Sequence, residues 1–193
     1  DDWGQFRLLS RTFAGFLDNQ GGYGIIQHKP GTSAYYARTW SVITELKKIA
    51  PSMELLEMDY TGFDRDQTEE VVSGWIKKHG RRLKGIVSAD DQLPQIGINE
   101  AVRKAGREDI VRVANGSTKV GLEFIKAGTL HAVTYQSPIM DGALACKTAA
   151  DWFSGFEVEP IRYLPKYIIT IHDVDDFLQK ENELRSVDLE YFF

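Results

Sequence analysis

The chain has 193 residues, of which 42% are hydrophobic and 11% aromatic, which suffices for one ordinary hydrophobic core with a small appendage. Its formal net charge is -5 and its basic residues are dispersed, so the sequence lacks the basic patch that nucleic-acid-binding proteins carry. The single cysteine excludes an internal disulfide and a cysteine-based zinc site, and no apolar run approaches the roughly 20 residues of a membrane-spanning helix.

Helical and strand patterns alternate over the first 136 residues. A helix is predicted over residues 4–18, where Phe6, Leu9 and Phe13 recur at helical spacing. Further strands are predicted over 24–28, 53–60, 85–89, 110–114 and 130–136, and further helices over 34–50, 71–79, 92–105 and 120–127. This alternation indicates a doubly wound, Rossmann-like α/β domain over residues 1–136, built on a parallel sheet with right-handed crossovers.

Three further segments follow residue 136. Residues 138–153 are predicted as a helix with an apolar surface that needs a covering partner. A linker over 155–165 leads to a strand over 167–171, and we group this helix and strand as a second unit, residues 137–172. Residues 173–193 form a charged tail ending in Tyr191-Phe192-Phe193, which we expect to form a loosely attached helix.

Two adjacent carboxylates, Asp90 and Asp91, directly follow the apolar strand at residues 85–89. Open parallel sheets bind small molecules just beyond the carboxyl ends of their strands, so these residues stand where a ligand would lie. Asp is also a preferred capping residue, and a helix is predicted to begin near Gln92. We expect one of the two residues to face the ligand and the other to cap this helix.

The other loops at the same edge of the sheet carry planar polar side chains and an aromatic ring, contributed by Arg38, Phe63, Asn115 and Gln136. Polar groups of these types offer paired donors and acceptors in fixed planes, and an aromatic ring can cover the apolar face of a sugar. Each residue could also serve the scaffold alone, but together they favour a site for a polyhydroxylated ligand. Of the three further aromatic residues nearby, Tyr35, Tyr36 and Trp40, the last is expected in the core.

Sequence motifs of other site classes are absent. The sequence contains neither Gly-x-Gly-x-x-Gly nor a Walker lysine, so phosphate binding has little support. It has no Gly-x-Ser-x-Gly motif, and its four histidines show no spacing typical of metal ligands. We therefore predict no catalytic residue, no metal and no cofactor.

The order and spacing of short motifs resemble those of the type I periplasmic sugar-binding proteins, especially the ribose-binding-like group, and of the related effector domains of LacI-type repressors. The resemblance covers residues 1–171 and rests on Gly31-Thr32-Ser33-Ala34 before Arg38, Gly62-Phe63-Asp64-Arg65, Ser88-Ala89-Asp90-Asp91, Asn115-Gly116-Ser117, and Gln136 before Pro138. It implies that Arg38, Asp90, Asn115 and Gln136 contact sugar hydroxyls and that Phe63 packs on the sugar ring. The ribose-binding group usually has Asn in place of Asp90 and Asp in place of Asn115, so the resemblance does not identify the ligand as ribose.

The resemblance also implies a function. The chain would be the solute-binding component of an ABC importer for a sugar or polyol, without chemistry of its own, and its ligand would be held in a cleft closed by hinge motion. Its partners would be the monosaccharide or polyol and the membrane subunits of the importer. Its location would be periplasmic or extracellular, either free or lipid-anchored.

Members of this family have two lobes, and the resemblance makes this chain the carboxyl-terminal lobe, beginning at the first crossing between the two. Residues 137–172 would then belong to an amino-terminal lobe that the chain lacks. We expect the chain to associate with itself, or with a separate amino-terminal lobe, through the apolar surface of these residues.

Two alternative functions use the same residues. The chain could be the ligand-sensing domain of a LacI-type regulator or a receptor, which a helix-turn-helix upstream of Asp1 would indicate and a signal peptide would not. It could also be an enzyme that uses Asp90 and Asp91 as acid and base. Adjacent residues beyond a strand point in different directions, so this alternative ranks lowest.

Overall fold

The computed structural model describes residues 1–185, and within them six strands form one sheet. The strands are β1 Gln20–Ile26, β2 Ser52–Asp59, β3 Leu83–Ser88, β4 Val111–Asn115, β5 Ala132–Thr134 and β6 Ile168–Thr170. The helices are α1 Asp2–Phe16, α2 Ser33–Ile49, α3 Arg65–His79, α4 Leu93–Lys104, α5 Lys119–Lys126, α6 Pro138–Phe153 and α7 Val174–Arg185. The strand order is β2-β1-β3-β4-β5-β6, and all neighbouring strands are parallel except β5 and β6. The predicted doubly wound α/β class is confirmed.

Helices cover both faces of the sheet because successive strand residues point to opposite sides. On one face, Val87 of β3 packs in a cluster with residues of α1 and α2, including Phe13 and Leu46. On the other face, Ile86 packs with residues of α3 and α4, and the same side of β4 and β5 is covered by α5. Both faces of the central strands are therefore buried.

The position of the last strand, β6, differs from the prediction made from the sequence. The strand near residues 167–171 was expected to belong to a missing lobe, and this expectation is wrong. β6 pairs with β5 in antiparallel register, with Val133 opposite Ile169, and Ile169 is fully buried. The tail that follows is not loosely attached at its start, because Val174 is buried and packs with α5 residues. The predicted helical end at Tyr191-Phe192-Phe193 lies outside the described residues.

One aromatic residue is more exposed than the sequence pattern suggested. Trp40 was predicted in the core, but 40% of its surface is exposed. Helix α2 turns Thr39, Val42 and Leu46 inward, and these positions leave residue 40 on the outer side.

No helix within residues 1–185 has the length and apolarity that crossing a membrane requires.

A glycine at the crossing of α3 and α4 sets how closely these two helices approach. A Cβ atom on Gly97 would collide with the carbonyl oxygen of Arg65 and would lie 2.9 Å from the backbone nitrogen of Glu69. Both atoms are backbone, so neither can move aside without shifting the helix. We expect Gly97→Ala to lower the free energy of unfolding by about 1–3 kcal/mol, the usual range for overpacking.

Urea denaturation measures this effect, and Gly74→Ala is the matched control. Gly74 is an exposed residue of α3, and a Cβ there would meet no atom within 4 Å. Its replacement by alanine should leave the stability unchanged or raise it by about 0.5–1 kcal/mol, because alanine is the better helix former. Equal effects of the two substitutions would contradict the close-packing explanation.

Candidate functional site

Four of the five site residues predicted from the sequence line one cleft at the carboxyl edge of the sheet. The cleft has a volume of about 460 Å³, and its walls include Arg38, Asp90, Asn115 and Gln136. These side chains come from α2, the loop after β3, the end of β4 and the loop after β5. The parallel strands bring them together because all of their carboxyl ends lie on the same edge.

Phe63, the fifth predicted residue, lies beside this cleft and not in its wall. It follows β2, the edge strand next to β1, and adopts a left-handed backbone conformation with φ of 58°. Its ring packs edge-to-face on His28, with 4.9 Å between ring centroids, and on Tyr60 at 5.8 Å. Phe63 thus packs on His28 and Tyr60, and none of these three rings belongs to the wall of the cleft.

Arg38 is held in place from several directions. Only 9% of its surface is exposed, because it lies on the inner side of α2. Its Nη1 atom donates to the carbonyl oxygen of Ala89 at 3.0 Å, and Nη2 donates to Asp2 Oδ1 at 3.3 Å. The guanidinium carbon lies 6.0 Å from the centroid of the Phe6 ring. These contacts fix the fork of donors in one orientation before any ligand arrives.

Asn115 and Gln136 extend the polar wall from Arg38. The Asn115 amide is oriented so that its oxygen accepts from Arg38 Nη1 at 2.9 Å and its nitrogen donates to Thr134 Oγ1 at 2.8 Å. The side-chain amide of Gln136 lies 2.9 Å from that of Asn115. Ser117 fixes the backbone of Gln136, since its hydroxyl donates to the Gln136 carbonyl at 2.8 Å. The result is a continuous row of polar groups from Arg38 to Gln136.

Asp90 both lines the cleft and orders the start of α4. Its Oδ1 accepts a hydrogen bond from the backbone nitrogen of Gln92 at 2.8 Å. Partial burial raises the pKa of the Asp90 carboxyl, while the Gln92 N–H and the nearby charge of Arg38 act in the opposite direction. Asp90 therefore faces the cleft as predicted, and its bond to Gln92 closes a turn before α4 and is not a helix cap, since α4 has no side-chain cap.

Asp91 does not cap α4 either, so the expectation that one of the two carboxylates caps this helix is wrong. Its side chain turns away from α4 and is 1% exposed, and its Oδ2 accepts from the backbone nitrogen of Thr118 at 2.9 Å, at the start of α5. The space for its carboxylate exists because Gly116 and Gly121 have no Cβ, and a Cβ at either position would collide with it. Burial raises the pKa of Asp91 to about 7.

Two residues near the cleft were missed by the sequence analysis. Asp2 pairs with Arg38 across 36 residues of sequence, and His28 contacts Phe63. The sequence argument tested the histidines for metal-ligand spacing alone, whereas the useful signal was the position of His28 two residues after β1, a strand that ends at the same edge. For Asp2 the sequence offers no signal, because an isolated acidic residue at the start of a helix is common.

The arrangement suits a neutral ligand that is rich in hydroxyl groups. Arg38 and Gln136 offer donors, and Asp90 and Asn115 offer acceptors, which matches the double role of a hydroxyl group. The positive charge of Arg38 is already paired with Asp2, so the cleft wall formed by residues 1–185 has no unpaired cation for an anionic ligand. Within the described part of the chain, no three His, Cys, Asp or Glu side chains converge to hold a metal ion.

The sequence of this chain is similar to a known protein family and to a protein of known ligand. A sequence profile described as periplasmic binding protein domain matches residues 7–155. A xylitol-binding protein of Mycolicibacterium smegmatis is 26% identical over 161 residues, an alignment that covers 82% of this chain and 45% of that protein.

Two solved structures share the fold. A periplasmic solute-binding protein of an ABC transporter from Actinobacillus succinogenes, with bound D-allose, has a TM-score of 0.83 at 17% identity, covering 91% of this chain and 61% of its own. A solute-binding protein of an ABC transporter from Bacillus halodurans, with bound myo-inositol, has a TM-score of 0.82 at 22% identity, covering 93% and 62%. This chain thus spans less than two thirds of the length of each relative.

Proposed function

Because this chain belongs to the periplasmic binding protein family, whose profile matches residues 7–155, we propose that it forms one lobe of a solute-binding protein for a neutral sugar or polyol. The observation that carries the proposal is the row of polar groups from Arg38 through Asn115 to Gln136, with Asp90 in the same cleft. One related protein is named as xylitol-binding, and two others have bound D-allose or myo-inositol in their structures. All three compounds are neutral and polyhydroxylated.

In this proposal the ligand lies between this lobe and a second one. Hinge closure buries the ligand, and the closed form is recognised by the membrane subunits of an ABC importer outside the cytoplasm. The protein performs no chemistry on its ligand. The two adjacent carboxylates support this view, since the Asp90 side chain bonds to Gln92 whereas the Asp91 side chain bonds to Thr118 at the start of α5, so the two carboxylates are directed differently.

A thermal-shift screen of a form of the protein that carries both lobes, called here the two-lobed protein, tests this function. Xylitol, D-allose and myo-inositol are the neutral probes, and D-gluconate is the anionic control. At least one neutral probe should raise the melting temperature, because a ligand that binds only the folded state stabilises it. Stabilisation by gluconate alone, or by none of the four compounds, would contradict the proposal.

The surface of α6 is the region where we propose the second lobe docks. None of the 16 residues of α6 is buried, and Trp152 and Phe153 are 62% and 80% exposed. Phe156 and Ile161, in the segment that follows, are also exposed. Large apolar side chains that cluster in this way mark an interaction surface.

We therefore expect the chain of 193 residues, when isolated, to self-associate through α6 or to bind a separately supplied amino-terminal lobe. Sedimentation velocity should show a concentration-dependent increase in mass, and Phe153→Asp should reduce it. The control is Leu93→Asp, which changes an exposed apolar residue of α4 that is remote in sequence from α6. A monomer at all concentrations, with no binding of the other lobe, would contradict this expectation.

A further inference from the structure

We propose that His28 is a further ligand-contacting residue, which accepts a hydrogen bond from a ligand hydroxyl through its Nε2 atom. The inference rests on the proposed function, since it adds a residue to the same site. His28 matches none of the motifs that carried the family resemblance, and it reaches the site through the fold alone.

The sheet order places His28 at the centre of the binding edge. In the order β2-β1-β3, the loop after β2 contains Phe63 and the loop after β3 contains Asp90. The chain order reverses between β1 and β3, and ligands of such sheets bind in the crevice formed there. The backbone nitrogen of Ala89 donates to the carbonyl of Ile26 at 2.9 Å, which holds the two strand ends together. His28 therefore lies between the loop of Phe63 and the loop of Asp90.

Hydrogen bonding to Thr32 fixes which ring nitrogen of His28 carries the proton. The Thr32 hydroxyl has one hydrogen, which it donates to the carbonyl of Lys29 at 2.8 Å. His28 Nδ1 lies 3.0 Å from the same hydroxyl oxygen, so Nδ1 must be the donor in that contact. Thr32 also accepts from the backbone nitrogen of Tyr35 as the cap of α2, which anchors it. In a neutral ring, Nε2 is then left with a lone pair.

The surroundings of His28 favour the neutral ring and leave Nε2 available. Burial and the positive charge of Arg38 lower the pKa of His28, although Asp2, Asp90 and a hydrogen bond to the Lys29 backbone act in the opposite direction. The ring is held edge-to-face against Phe63 at 76°. The ring has a hydrogen bond from Nδ1 to Thr32 and one to the backbone of Lys29. Nε2 can thus accept from a hydroxyl at pH 7.

The test compares two substitutions of His28 in the two-lobed protein. His28→Phe keeps a ring against Phe63 and removes the acceptor, whereas His28→Gln places an amide oxygen near the position of Nε2. Calorimetry is performed with whichever of xylitol, D-allose and myo-inositol binds the wild type. We expect His28→Phe to weaken affinity about tenfold, as for the loss of one hydrogen bond, and His28→Gln to retain most of it. His172→Phe, at an exposed histidine after β6, is the control and should bind as the wild type does.

A second readout needs no substitution. In the wild type, the ¹⁵N resonances of His28 should show the Nδ1–H tautomer, and the Nε2 resonance should move when the polyol is added. Unchanged affinity of His28→Phe, or an unmoved Nε2 resonance at saturating polyol, would overturn this inference and leave the proposed function standing. Absence of binding by all three polyols to the wild type would overturn both.

Discussion

Replacing Arg38 with alanine in the two-lobed protein is expected to weaken polyol binding by about 1.5–3 kcal/mol, the range for hydrogen bonds to charged groups. At 25 °C this corresponds to a loss of affinity of roughly 10- to 150-fold. The physical reason is the fixed orientation of the guanidinium, which Ala89, Asp2 and Asn115 hold in place before the ligand arrives. Three of its five N–H groups serve these contacts, and Nε has no partner among the described residues.

Isothermal titration calorimetry measures this loss, and two further variants make it interpretable. Arg38→Lys keeps the charge but cannot reproduce the planar fork, so we expect an intermediate loss and a folded protein. Arg82→Ala removes an exposed arginine that pairs with Glu54, and it should leave the affinity unchanged. If Arg38→Ala binds the polyol as tightly as the wild type does, Arg38 is not part of the site.

The second large effect concerns Asp91 and the dependence of stability on pH. Its pKa is raised from 3.8 to about 7 by burial, which outweighs the hydrogen bond from Thr118. A carboxyl with a raised pKa binds its proton more tightly in the folded state, so its contribution to stability is lost as the pH rises from about 4 to above 7. At 1.36 kcal/mol per pKa unit, the loss from Asp91 amounts to about 4 kcal/mol.

Asp91→Asn isolates this effect, because asparagine keeps an acceptor for Thr118 and does not titrate. Urea denaturation at pH 4 and at pH 8 gives the free energy of unfolding of both proteins. The stability of the variant relative to the wild type should rise by about 4 kcal/mol between these two pH values, while the other groups cancel in the difference. A constant difference would show that the folded protein leaves the pKa of Asp91 near its usual value.

The parts of the site that could be predicted from the sequence are those fixed by strand ends. Asp90, Asn115 and Gln136 each follow or end an apolar run, and parallel strands must bring such positions to one edge. Arg38 could be predicted because it lies six residues after the Thr32 cap of α2, where the helix turns inward. These inferences need only periodicity and sheet topology.

The parts that could not be predicted depend on contacts between distant segments. The place of β6 in the sheet follows from antiparallel pairing with β5, and a three-residue strand gives too short a pattern to reveal its partner. The start of α3 at Arg65 was placed too late, because its first turn is polar and Asp64 supplies the cap. The direction of Asp91 is set by the space beside Gly116, which sequence spacing does not encode.

The proposed function requires that the loops after β1, β3, β4 and β5 form one half of a binding site for a neutral polyol. A crystal structure of the two-lobed protein with a bound polyol tests it most directly. We expect ligand hydroxyls within about 2.7–3.2 Å of the polar side chains of Arg38, Asp90, Asn115 and Gln136, with the ring of His28 at the same ligand. A polyol bound elsewhere, with these four side chains in contact only with solvent, would contradict the claim.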